Sequence, residues 1–204
     1  MKTENINLMR MAKESLKGKW GIAIGTFVIY SLIVGSFGCV PYAGAVASLI
    51  LGGPFLLGIT MFTLNISRNN DPKLEQLFHG FKNFGTSLGA YLLMVLFIFL
   101  WTLLLIVPGI IAAISYAMTL FIIADNPAIA PKEALNKSKK MMYGYKWKFF
   151  CLYFRFFGWF LLCILTLGVG FLWLIPYTRV SFAKFYDDIK DNPVSVEDLT
   201  AGSE

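Results

Sequence analysis

Apolar residues run along this chain in six long blocks, at about 20–39, 43–66, 86–107, 109–124, 147–167 and 170–186, and no Asp or Glu falls inside any of them. A hydrocarbon core of about 30 Å takes roughly 20 predominantly apolar residues per helix. The fourth and sixth blocks are short, and each follows its predecessor across a tight break, Val107-Pro108-Gly109 or Leu167-Gly168-Val169-Gly170. Proline lacks the N–H and clashes with the preceding turn, while glycine lets the chain reverse. The pattern predicts three hairpins of two helices each.

Between the blocks the apolar period changes. Residues 6–17 place Leu8, Met9, Ala12 and Leu16 on one helical face. Residues 73–84 do the same with Leu74, Leu77, Phe78, Phe81 and Phe84, and residues 132–145 with Ala134, Leu135, Met141, Met142 and Tyr145. Spacings of three and four predict amphipathic helices. Each ends near a glycine (Gly18, Gly85, Gly144) and feeds an apolar block. Their apolar faces are expected to sink into the headgroup boundary, with Lys and Arg facing anionic lipid.

The hairpins share further marks. A proline, Pro54, Pro108 or Pro176, precedes Asp71-Pro72, Asp125-Asn126-Pro127 or Asp191-Asn192-Pro193 by 17, 17 and 15 residues. The starts echo each other too. LKGKWGI at 16–22 and YGYKWKFF at 143–150 both set a glycine just before a Lys-Trp pair, Lys19-Trp20 and Lys146-Trp147. Self-similarity of this kind is the signature of repeats. The expected architecture is an all-α, polytopic bundle of six transmembrane helices. Its three repeated units, at about 5–71, 72–126 and 127–190, each pair an amphipathic helix with a hairpin inside one membrane domain, 1–190. Units that all start on one side are related by rotation about the membrane normal.

Composition changes this picture little. Of 204 residues 57% are hydrophobic and 15% charged, with a mean hydropathy of +0.65, where a soluble domain has about 25% charged residues. Charge adds orientation. Lys and Arg gather in the N-terminal segment, the 67–85 and 125–146 linkers and the C-terminal end. The connections near 39–43, 107–109 and 167–170 carry no charge at all. Basic residues favour the cytoplasmic side, so both termini are expected there, in a bacterial plasma membrane. The 19-residue leader before the first block is long for a signal peptide, although Ala43-Gly44-Ala45 mimics a cleavage site. Residues 1–186 carry a net charge of +11 and residues 187–204 a net of −5, and 191–204 is expected to be an acidic, disordered tail. Positive-inside orientation accounts for the basic clusters, so nucleic acid is not an expected partner. Lys137, Lys139, Lys140, Lys146, Trp147, Lys19 and Trp20 are instead expected to meet anionic headgroups, each basic residue contributing about 1 kcal/mol on an anionic leaflet.

Chemistry is sparse. His79 stands alone, no metal-binding or phosphate-loop motif occurs, and the Asp187-Asp188 pair lies at a helix end beside Lys184 and Lys190. Cys39, Cys151 and Cys163 are odd in number and not spaced for metal. A Cys39–Cys163 disulfide is geometrically open, but small buried thiols are the expectation. No catalytic set, cofactor or metal is expected, and the protein is read as a non-enzyme. Gly21 and Gly25 make a small-xxx-small pair suited to close helix approach. The breaks at Gly52-Gly53-Pro54 and Ile175-Pro176 offer either kinks or unwound backbone.

Two arginines remain. Arg155 sits eight residues past Trp147, and Arg179 seven before the end of the last block. At 1.5 Å per residue both lie roughly 10–12 Å inside the edge of the bilayer. Snorkelling to the headgroups is one reading. A cytoplasm-facing anion site is the other, because guanidinium forks suit phosphate or carboxylate. Counting from the prolines, Arg179 matches Leu57 and Ile111, and counting from the tryptophans, Arg155 matches Val28. Function is therefore sought where the copies differ.

The stretches ESLKGKWGIAIG, LEQLFHGFKNFG, WTLLLIVPGIIAAISYAMTLFIIADNP and LGVGFLWLIPYTRVSFAKFY resemble the bacterial integral membrane family known as domain of unknown function 975, across about residues 5–188. That family is distantly similar to the membrane domain of some glycerophosphodiester phosphodiesterases, whose catalytic domain this chain does not carry. The resemblance implies a bacterial plasma membrane and brings no catalytic residues. The expected function is a non-enzymatic membrane protein binding anionic lipid or a protein partner at its cytoplasmic face, with Arg155 and Arg179 as internal contacts. The alternative is a transporter or channel for a small anion or amphiphile.

Overall fold

A computed structural model describes residues 3–38 and 42–191, and every regular element among them is helical. The expected acidic tail, beyond Asp191, and Cys39 lie outside the described residues. The elements are α1 (Asn5–Ser15), α2 (Trp20–Phe37), α3 (Ala43–Ser67), α4 (Gln76–His79) with a 3₁₀ turn (Gly80–Asn83), α5 (Phe84–Leu104), α6 (Ile106–Tyr116), α7 (Thr119–Asp125), α8 (Pro131–Met141), α9 (Lys146–Leu165) and α10 (Phe171–Asp191). Five runs are long and apolar enough to cross a membrane: Trp20–Phe37, Gly44–Ser67, Gln76–Leu104, Ile106–Asp125 and Lys146–Leu165. The chain is thus built as a multi-pass membrane protein. At 21 residues α10 is as long, but Arg179, Lys184, Asp187, Asp188, Lys190 and Asp191 interrupt it, so composition alone does not mark it as a span.

Burial divides the molecule into two zones. At one end α1, α7, α8, the start of α9 and the last turns of α3 and α10 pack into a dense core. There Leu8, Leu64, Ile123, Leu135, Met142, Phe185 and Tyr186 are all at most 4% exposed. At the other end α5, α6, α9 and the start of α10 present apolar surface outward, from Phe99 (61%) and Leu103 (74%) to Leu165 (84%) and Leu167 (95%). So much exposed apolar area is what lipid covers. The physical reason for the division is the solvent. Near water the hydrophobic effect compacts side chains, whereas within lipid it gives no drive for helices to close on one another.

Placing the amphipathic helices corrects one expectation. The apolar faces of α1 and α8 do not sink into lipid: Leu8, Ala12 and Leu16, with Ala134, Leu135 and Met142, are at most 2% exposed within the protein's own core. A ready apolar surface, made by α3 and α10 for α1 and by α5, α6 and α7 for α8, competes with the headgroup boundary and wins. The polar faces, with Lys137, Lys139 and Lys140, point outward as the period demands. The middle segment differs more, since only Gln76–His79 is α-helical and Gly80–Asn83 winds as a 3₁₀ turn. It is held by a backbone crossing. A Cβ on Gly80 would stand 1.9 Å from the carbonyl oxygen of Pro54, and one on Gly58 the same 1.9 Å from that of Leu77. Phe55 then packs edge-on against Phe81, ring centres 4.9 Å apart.

One reversal moved, while the third stays at the expected 167–170 break. The second hairpin turns at the extended residue Leu105, and Pro108 falls in the first turn of α6, where its missing N–H costs nothing. In each hairpin a glycine within or just before the returning helix meets the residue seven positions earlier. A Cβ would stand 1.7 Å from the Phe37 carbonyl oxygen at Gly44, 2.2 Å from Thr102 Oγ1 at Gly109 and 2.6 Å from Cys163 Sγ at Gly170. Helices α3 and α10 continue through Pro54 and Pro176, so neither proline unwinds the backbone.

The entry signal has a different register from the one its Lys-Trp pair indicates. What recurs is a glycine in the left-handed region, Gly18 at φ +75° and Gly144 at φ +78°. Helix α2 begins two residues after the first and α9 two after the second. Shifted by 126 residues, buried Leu8, Met9, Ala12 and Leu16 fall on buried Ala134, Leu135, Ser138 and Met142, and Ala23 and Thr26 on Phe149 and Leu152. In this register Arg155 matches Ile29 rather than Val28.

Candidate functional site

The charged end of the molecule is bolted across the returning helices. Arg68, just after α3, donates from Nη1 to Asp125 Oδ1 at 2.7 Å and from Nη2 to Asp125 Oδ2 at 3.0 Å. The same guanidinium reaches Asp187 Oδ1 on α10 from Nε at 3.2 Å and Nη2 at 2.8 Å. The hydrogen bond to Asp125 is the main reason its pKa stands above the ordinary arginine value. Lys190 Nζ at 2.6 Å and the Tyr186 hydroxyl at 3.0 Å also donate to Asp125 Oδ2. Ser67 Oγ donates to Asp187 Oδ2 at 3.1 Å, and Lys184 Nζ to the Ser67 carbonyl. Lys148 pairs with Asp188 at 2.7 Å. The adjacent Asp187 and Asp188 therefore serve separate cations. Among the described residues no group of three or more His, Cys, Asp or Glu is placed to hold a metal.

These contacts fix the ends of α3, α7, α9 and α10, and so position what lies further along them. Two apolar cavities open between the helices. One, of about 650 Å³, lies among α2, α9 and α10, with Phe27, Tyr30, Phe156, Phe160 and Phe171 on its walls. The other, of about 550 Å³, lies among α3, α5, α6, α7, α9 and α10, walled by Leu56, Met94, Ile114, Leu120 and Phe149. Tyr153, Phe182 and Arg179 line both. The arginine side chain thus stands at the partition, half-buried, one cationic group against two apolar compartments. Among the described residues it makes no hydrogen bond or ion pair. Five N–H donors are free to meet an anion there. Hydroxyls of Ser31 and Thr178 in the first cavity and Thr60 in the second add weaker polar points. Because α10 runs on to Asp191, Arg179 stands 12 residues from its helix end rather than seven.

The other residues singled out by sequence are scattered. Arg155 is exposed on α9 and lines neither cavity, so the two arginines do not share one. Lys19 donates to the Asn70 carbonyl at 2.9 Å, tying the start of α2 to the end of α3. Trp20 is half-buried and faces an apolar groove with Trp159, Trp173 and Tyr177. Trp147 is 74% exposed and stacks on Phe150, with ring centres 5.5 Å apart. Lys146 is partly buried at the start of α9. Sequence reasoning missed the Arg68 cluster, whose members are 57 and 119 residues apart. The one available signal was the recurrence of Asp at the hairpin ends.

A family model described as "Protein of unknown function (DUF975)" matches residues 1–119 and 103–193. No curated protein matches, and no solved structure does. The distant likeness to phosphodiesterase membrane domains therefore finds no support in these comparisons.

Proposed function

The chain belongs to the DUF975 family, and since that family has no assigned function we propose from the site itself that the protein is a non-enzymatic binder of an anionic amphiphile, held by Arg179. The observation that carries this reading is an arginine with no hydrogen-bonding partner among the described residues on the shared wall of two apolar cavities. A cation in hydrocarbon costs about 2.5–3.5 kcal/mol on insertion scales, and a bound carboxylate or phosphate offsets that cost with paired, charge-assisted hydrogen bonds. The expected setting is a bacterial plasma membrane, with α10 as a sixth span and both termini cytoplasmic. The basic faces of α1 and α8 meet anionic headgroups there. The repeated unit is supported by the 126-residue register of buried positions and by the three close glycines Gly44, Gly109 and Gly170.

The experiment is lipid analysis of purified protein. Arg179→Leu should reduce co-purified anionic lipid, and unchanged lipid content would refute the reading. A transporter or channel for a small anion or amphiphile is the second reading, favoured by the same partition, since a ligand held at Arg179 touches both compartments. It requires flux into liposomes above that of empty vesicles.

A further inference from the structure

Taking Arg179 as the anion contact, as proposed above, we infer that both cavities belong to one binding site, and that its ligand is a phospholipid with two acyl chains, one chain in each compartment and its phosphate on the arginine. Each cavity, about 650 and 550 Å³, falls within the range of roughly 300–1,000 Å³ that holds one small ligand. Neither wall offers a second cation. The polar groups are hydroxyls, and those of Thr60 and Thr178 already donate to the Leu56 and Leu174 carbonyls within their own helices. Two separate anionic ligands would have to share a single guanidinium at the partition and would repel each other there. One anionic head with two apolar branches meets the same geometry without that conflict. The cavities also open outward beside exposed Ser31 and Ala113, in the apolar zone, so chains can enter from surrounding lipid.

Small residues at the two mouths allow each compartment to be filled separately. Ser31→Trp blocks the first and Ala113→Trp the second, and because both positions are exposed the packed core is undisturbed. Thr178→Trp, on α10, and Ala117→Trp, at the end of α6, fill the same spaces from other positions and serve if either first variant fails to assemble. The probes are phosphatidylglycerol and its one-chain form, lysophosphatidylglycerol, titrated into delipidated protein and counted by native mass spectrometry. Each single block should weaken phosphatidylglycerol by roughly tenfold or more, since even two methylenes left outside cost about that much. Lysophosphatidylglycerol, which needs one compartment only, should be nearly unaffected by either block and strongly weakened by Arg179→Leu. If each block leaves the two-chain lipid bound, or if two phosphatidylglycerol molecules bind per chain, the shared-site inference fails while the arginine reading stands. If Arg179→Leu leaves both probes bound, the arginine reading itself fails.

Discussion

The crossing of the 76–83 segment over α3 can be tested with one methyl group. In Gly80→Ala the new Cβ would lie 1.9 Å from the Pro54 carbonyl oxygen and 2.9 Å from the Gly58 nitrogen, where ordinary contact begins at 3.4 Å. The segment must therefore move by up to 1.5 Å from α3, and both contacts are backbone rather than a flexible side chain. Overpacking of this kind costs about 1–3 kcal/mol, and a rigid backbone neighbour places Gly80→Ala at the upper end. In a chain of this size about 3 kcal/mol corresponds to roughly 6–12 °C in melting temperature. Gly158 is the control. It sits inside α9 with nothing within 4 Å of a built Cβ, so Gly158→Ala should hold or gain about 0.5–1 kcal/mol. The assay is thermal unfolding in one detergent, followed by tryptophan fluorescence. If the two variants melt together, the crossing does not exist as described.

Arg68→Ala should cost about 2–3 kcal/mol, because it strips two partly buried carboxylates of charge-assisted hydrogen bonds. Arg68→Lys should recover little of this in the same melting assay, since an ammonium cannot fork across Asp125 and Asp187. Leu135→Ala, in the core that α8 buries, should lower stability by about 2–5 kcal/mol, whereas a helix lying only on lipid would barely register the change. Lys137, Lys139 and Lys140 replaced together by Gln should leave melting unchanged and reduce the enrichment of phosphatidylglycerol around the protein in mixed nanodiscs, each lysine contributing about 1 kcal/mol.

Several of these features are visible in the chain alone. Block length and the absence of acids mark membrane-spanning helices, because a bilayer fixes both the length and the polarity of what crosses it. The spacings in 6–17 and 132–145 mark amphipathic helices, since period follows from local geometry. Period shows that a face is apolar but cannot say what covers it, and the partner of α1 and α8 proved to be the protein core. Arg179 could be singled out as a charge in an apolar block, yet only packing made it a partition between two cavities, while Arg155, equally conspicuous in sequence, stayed outside both. The match of Gly18 with Gly144 needed the structure as well, because a Lys-Trp pair can slip by one position on a surface that tolerates either. The positive-φ glycines cannot slip in that way, since each fixes where a helix begins. The Arg68 cluster depended wholly on tertiary structure. It joins ends brought together by three hairpins, and no local rule relates Arg68 to Asp125 or Asp187 until those helices return to the same end of the molecule.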